Sequence, residues 1–138
     1  VTVQHYWADK ETGDKLSKLD PSKIQIDFTN DGWTEDESAE TTERNVFYYN
    51  SILKKGQTST DFTDKISISG DIAAIVGQTS QTDDNGLTTI TTTYEYDGAC
   101  FVLEATVDAV QTHNAKDAIK SAWGVDVNIS DDGALSLE

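Results

Sequence analysis

The most strongly patterned stretch of the chain is Cys100 to Trp123, which reads CFVLEATVDAVQTHNAKDAIKSAW. Phe101, Leu103, Ala105, Val107 and Ala109 alternate with Val102, Glu104, Thr106, Asp108 and Val110. Successive side chains of a strand point to opposite faces, so this spacing predicts a strand with one apolar and one mixed side. The period then changes. Ala115, Ala118, Ile119, Ala122 and Trp123 recur at helical spacing, with Lys116, Asp117 and Lys120 turned away. Asn114 stands where an N-cap belongs, and Gly124 where a helix ends in the left-handed conformation. The expectation is a long core strand leading into a short helix, with Phe101, Leu103 and Trp123 as core anchors.

The remaining chain reads as partners for that strand. In VTVQHYW, Val1, Val3, His5 and Trp7 share one face of a short N-terminal strand. Residues 8–14 are polar and carry Gly13, so they predict a turn or linker. Ile24, Ile26 and Phe28 alternate with Gln25 and Asp27, and Asn30-Asp31-Gly32 then turns the chain toward Trp33, a further core anchor. Residues 34–44 are acidic and lack an apolar period. VFYYNSIL at 46–53 predicts a buried strand, and Phe62, Ile66 and Ile68 mark another. Gly70 to Gly77 fits a buried strand or a helical turn equally well. Asp83-Asp84-Asn85-Gly86 and Asp97-Gly98 are hairpin signals on either side of the Thr-rich strand Leu87 to Tyr96. Val125, Val127 and Ile129 alternate once more; Leu137 and Glu138 carry no argument. About eight strands with turns between them predict an all-β fold: an antiparallel, jelly-roll-like β-sandwich with one or two short helices. Residues 1–14 are expected to form an N-terminal strand and linker, and residues 15–138 the sandwich domain.

Composition narrows the function. The 138 residues carry a formal net charge of −15, which argues against nucleic acid, whose phosphates need a basic surface, and against anionic membranes. The acidity reads first as solubility, and second as weak divalent-cation binding at clustered carboxylates. The single cysteine, Cys100, rules out an internal disulfide and reads as a buried thiol. No membrane-spanning run or leader is legible, so an exported form is expected to have shed its leader.

Catalytic chemistry is not legible either. Phosphate loops, HExxH helices, CxxC pairs and GxSxG elbows are missing. The acidic loop lacks the calcium-loop pattern. Glu104 and Asp108 fall on one side of a strand but too far apart to share a metal. His5 reads as a half-buried strand residue and His113 as a solvated turn residue. No catalytic residue, metal ligand or cofactor is therefore assigned.

Three stretches carry a family resemblance: KIQIDFTNDGW at 23–33, NVFYYNSILKKGQTSTDFTDKISI at 45–68, and FVLEATVDAVQTHNAKDAIKSAWG at 101–124. The chain resembles the Gram-positive exported proteins processed by a SipW-type signal peptidase, the group of TasA, the camelysins and the clostridial matrix protein BsaA. The family's late strand, "i.v.AeAvQ..n...A...AWG", is matched by Glu104-Ala105, Val107, Ala109-Val110-Gln111, Asn114, Ala115, Ala118 and Ala122-Trp123-Gly124. The family's mature start, "a.F.D.......F..G", is replaced here by His5-Tyr6-Trp7-Ala8-Asp9, without a clear second phenylalanine.

The resemblance implies a secreted jelly-roll subunit of an extracellular biofilm matrix fibre. It implies head-to-tail self-assembly by donor-strand exchange, with minor fibre proteins of the same family as further partners, and no nucleic acid or membrane partner for the mature form. Val1, Val3, His5 and Trp7 would then be the donor-strand face. Two other readings compete. One is an acidic surface adhesin or a carbohydrate- or calcium-binding sandwich, with exposed Trp and Tyr as its platform. The other is a metallopeptidase of the camelysin type, for which the chain offers no zinc-ligand motif.

Overall fold

Most of the alternating stretches become strands, and the computed structural model describes all residues 1–138. Ten strands form: β1 (Thr2–Asp9), β2 (Ile24–Phe28), β3 (Trp33–Glu35), β4 (Arg44–Tyr49), β5 (Thr63–Ile68), β6 (Ile75–Thr82), β7 (Thr88–Tyr94), β8 (Ala99–Thr106), β9 (Val127–Ile129) and β10 (Leu135–Leu137). One α-helix, α1 (Ala115–Trp123), and short 3-10 turns at Pro21–Lys23 and Gly70–Ala73 complete the chain. All strand pairings are antiparallel. The fold is the all-β arrangement with a short helix that the pattern predicts.

The principal sheet has the order β3-β4-β1-β8. Its inner face carries Val3, His5 and Trp7 of β1, Phe47 of β4 and Trp33 of β3, all buried. The β2–β5 ribbon packs over part of this face. Phe28 lies against Phe47 with ring centroids 4.5 Å apart, and Phe62 lies 5.9 Å from the Trp33 ring. Val3, Trp33 and Phe47 form the apolar centre, flanked by Ile26, Phe28, Tyr49 and Phe62. The indole N–H of Trp33 donates to the Thr60 carbonyl at 3.0 Å, and that of Trp7 to the Asp20 carbonyl at 2.9 Å. Each tryptophan thus buries its ring while satisfying its polar atom.

Three of the expected anchors are placed differently. Phe101 and Leu103 remain 45% and 39% exposed. They lie on the correct face, opposite Trp7 and His5, but β8 is the outermost strand and the β2–β5 layer does not reach it. The stretch read as the central core strand is therefore an edge strand. It ends at Thr106, leaving Val107 71% exposed. Trp123 is half-buried, tilted against Tyr48 at 5.7 Å, while Ile119 is the fully buried residue of α1.

Several boundaries also move. The strand expected at 46–53 starts at Arg44 and stops at Tyr49, so Ile52 and Leu53 lie exposed in the following turn. Gly70 to Gly77 splits into the 3-10 turn and the start of β6. Asn114 occupies the N-cap position but is itself left-handed (φ 52°) and makes no side-chain cap bond; Gly124 ends the helix at φ 77° as expected. The β6–β7 hairpin stands as a separate two-stranded ribbon, turned at Gly86 (φ 80°), where Asp83 Oδ1 accepts from the Asn85 and Leu87 amides.

Candidate assembly site

The N-terminal strand is the keystone of the principal sheet. Its alternation gives β1 one apolar face, and the structure buries that face in the centre of the sheet rather than at a margin. The pairing with β8 runs in continuous register from Thr2↔Thr106 to Asp9↔Ala99. On the other side, Thr2, Val3 and Gln4 pair with Val46, Asn45 and Arg44 of β4. The Phe47 amide donates to the Val1 carbonyl at 2.8 Å, extending that ladder to the first residue. Removing β1 would leave β4 and β8 without their common partner and would open a slot one strand wide.

Val3 and Trp7 fill this slot with apolar volume. Trp7 also makes an edge contact with Tyr96, at 4.9 Å between centroids. His5 is buried between them, and its Nδ1 has no hydrogen-bond partner. Burial pushes the imidazole below its ordinary value near 6.5; Glu43 and a backbone hydrogen bond at Thr42 pull the other way. Neutral His5 is the form that suits the closed sheet. The outer face of β1 is polar. Tyr6 donates toward Glu104 at 3.4 Å, and the Lys15 ammonium lies over the Tyr6 ring and pairs with Glu43.

The stretch expected to be a linker, residues 8–14, is a tight turn that begins inside the strand. Ala8 is fully buried and bridges to Lys15. The Asp9 carboxylate accepts from the Glu11 and Thr12 amides, which hold its pKa below the usual carboxylate range. Gly13 takes φ 78°, a conformation a side chain would resist. In the isolated chain β1 therefore pairs within its own sheet, the arrangement that stands against exchange between subunits.

The outer face of the sheet meets α1 and the β9–β10 hairpin across an apolar cavity of about 610 Å³, lined in part by Val46, Tyr48, Val110, Ile119 and Trp123. Tyr48 lines it from the sheet, and burial raises its phenol pKa. At the rim Asp36 is buried, and its carboxylate accepts from the amide and hydroxyl of Ser38. On the opposite, inner face, buried Asn45 stands beside Val3 and donates to Glu35 at 2.7 Å.

Acidic residues are abundant, yet no three His, Cys, Asp or Glu side chains form a group able to hold a metal ion. Cys100 is half-buried in β8, next to neither histidine in sequence or strand register. Trp7 and Trp33 are buried, so neither offers the exposed platform that a carbohydrate-binding surface needs. No helix is long and apolar enough to cross a membrane. Among known proteins, no family model, curated protein or solved structure matches the chain.

Proposed function

We propose that this chain is a structural subunit of an extracellular biofilm matrix fibre, and that subunits join head-to-tail by exchanging β1. The observation that carries this reading is the place of β1. β1 fills the middle of a sheet, between β4 and β8, and its register with β8 is unbroken from Thr2 to Asp9. The slot it vacates accepts an identical strand with the same hydrogen bonds and the same buried Val3, His5 and Trp7. Exchange between successive copies does not close on itself, so the product is a filament.

The resemblance to SipW-processed exported proteins supplies the setting: a secreted, non-enzymatic matrix protein whose principal partner is itself, with related minor subunits as additional partners. Exchange requires opening the Asp9–Asp14 turn, because only an extended connection lets β1 reach a neighbour. Closed monomer and filament then contain the same pairings and differ in chain connection, so the turn sets the barrier between them.

The test adds a peptide of sequence VTVQHYWAD, residues 1–9, to the full chain under polymerising conditions and images the product by electron microscopy. Under this reading the peptide occupies the vacated slots and shortens the fibres in proportion to its concentration. A scrambled peptide leaves them unchanged. Fibres of undiminished length at a large excess of the native peptide would exclude β1 exchange.

A further inference from the structure

The far side of β8 carries a second feature, distinct from the β1 slot. Residues 100–106 make no backbone hydrogen bond outside the sheet ladder, and β8 has only β1 as a neighbour. Its outward N–H and C=O groups are therefore free to pair with another strand. Natural edges are usually blocked by proline, lysine, a bulge or short length. The opposite edge, β3, is three residues long and runs into Glu35, Asp36 and Glu37. β8 is eight residues long, has an unbroken register with β1, and contains neither proline nor lysine. Beside this open edge lie the exposed Phe101 and Leu103.

We infer that β8 is a lateral self-association edge, at which a second copy of this chain pairs its own β8 antiparallel about a two-fold axis. The sequence of the strand selects this occupant. With the axis at Val102, Phe101 meets the partner's Leu103, and Ala99 meets the partner's Ala105. The four inner-face positions Ala99, Phe101, Leu103 and Ala105 are all apolar, so each half supplies what the other lacks. Antiparallel pairing about a residue keeps the inner faces of both copies on the same side, so both uncovered strips merge into one apolar trough. The single charge of the strand, Glu104, then faces the partner's Cys100. Moving the axis to Glu104 would set like charges opposite each other. The result is an eight-stranded sheet continuous across two subunits.

The contact is small, and each copy carries a net charge of −15. The pairing is therefore concentration-dependent, and it strengthens when salt screens the repulsion. It also lies on the opposite side of β8 from β1, so it bundles filaments or pairs monomers whether or not β1 is exchanged.

The test separates the two contacts by locking β1 in place. Thr2 and Thr106 are register partners, so a Cys100→Ser, Thr2→Cys, Thr106→Cys chain closes an internal disulfide across β1 and β8. Sedimentation velocity on this locked, full-length chain is expected to show a monomer–dimer equilibrium that shifts toward dimer with added salt. Adding Leu103→Lys, which places an ammonium on the exposed inner edge, is expected to weaken the dimer at least about tenfold. Separately, Cys100→Ser, Val102→Cys protein is expected to form a disulfide-linked dimer on mild oxidation. A locked chain that stays monomeric at about 1 mM in high salt overturns the proposal. So does a dimer indifferent to Leu103→Lys. A dimer that Leu103→Lys weakens but Val102→Cys does not cross-link overturns the assigned partner strand, because another segment would then occupy the edge.

Discussion

The uneven cover over the inner face of the principal sheet makes two phenylalanines of that face opposite in value. Phe47 is 1% exposed, with Phe28 at 4.5 Å and Phe62 at 6.3 Å. Phe101 points to the same side of the sheet but beyond the β2–β5 layer. Truncating Phe47 removes a whole ring from a closed site and leaves a cavity, which costs about 3–5 kcal/mol. The two aromatic neighbours, worth roughly 0.5–1.5 kcal/mol per pair, put it at the upper end. Truncating Phe101 removes a ring that water already reaches, and the space it leaves stays open to solvent. About half the transfer term is at stake, on the order of 1 kcal/mol. Phe47→Ala and Phe101→Ala are compared by urea denaturation at low protein concentration, where lateral pairing does not contribute. With only nine apolar residues buried, the core is small, and the loss at Phe47 is a large part of a typical domain stability of about 5–15 kcal/mol. The expected outcome is a large fall in midpoint for Phe47→Ala and a small one for Phe101→Ala, with equal slopes. Equal losses at the two positions would refute the reasoning, because they would require a second layer that covers β8.

Three further outcomes follow from local geometry. The pKa of His5 is lowered by burial, so the unfolded chain binds the proton more readily; stability is full above about 6.5 and is lost as pH falls below it. Denaturation midpoints between pH values of about 7.5 and 5 should show this loss in the native chain and much less of it in His5→Gln; identical profiles would place the acid sensitivity elsewhere. Gly32→Ala should cost about 1–2 kcal/mol, since φ is +77° and the new Cβ would lie 3.2 Å from both Thr60 Oγ1 and Tyr49 Cε2; an unchanged thermal midpoint would contradict that. Trp123→Ala should cost about 1–2 kcal/mol rather than unfold the chain, because the ring is half-buried against Tyr48, whereas Ile119→Ala should cost about 2–5 kcal/mol; calorimetry that ranks them the other way would reverse the orientation of α1.

Local pattern made much of the fold legible. The alternation of Ile24, Ile26 and Phe28, the Asn-Gly turn at 85–86 and the helix ending at Gly124 all reflect short-range geometry, and all appear where expected. Sheet order was not legible, because periodicity reports which side chains share a face but not what covers that face. Phe101 and Leu103 lie on the predicted face of β8, and only the tertiary placement of that strand at the margin leaves them exposed. The same limit applied to β1: its apolar face was visible in the sequence, while its central position depends on pairing with strands about 40 and 100 residues away. Residues 8–14 were read as a linker from their polarity. The Asp9 side-chain bonds and the left-handed Gly13 make them a closed turn instead. The alternation of Val127 and Ile129 announced β9, whereas its partner β10 was missed, since the three residues Leu135–Leu137 are too short to show a period.

Strand exchange itself is tested most directly by asking which chain supplies β1 to each sheet. Two proteins are made in a Cys100→Ser background, one with Thr2→Cys and one with Thr106→Cys. These positions are register partners on the accessible outer side of the β1–β8 ladder. They are mixed, polymerised, oxidised and analysed by mass spectrometry. Exchange predicts a disulfide joining the thiol introduced by Thr2→Cys in one chain to the thiol introduced by Thr106→Cys in another, in fibres and not in monomer. Fibres in which these two thiols stay reduced across chains, while a doubly substituted chain cross-links only to itself, would show that each subunit keeps its own β1 and that exchange does not build the fibre.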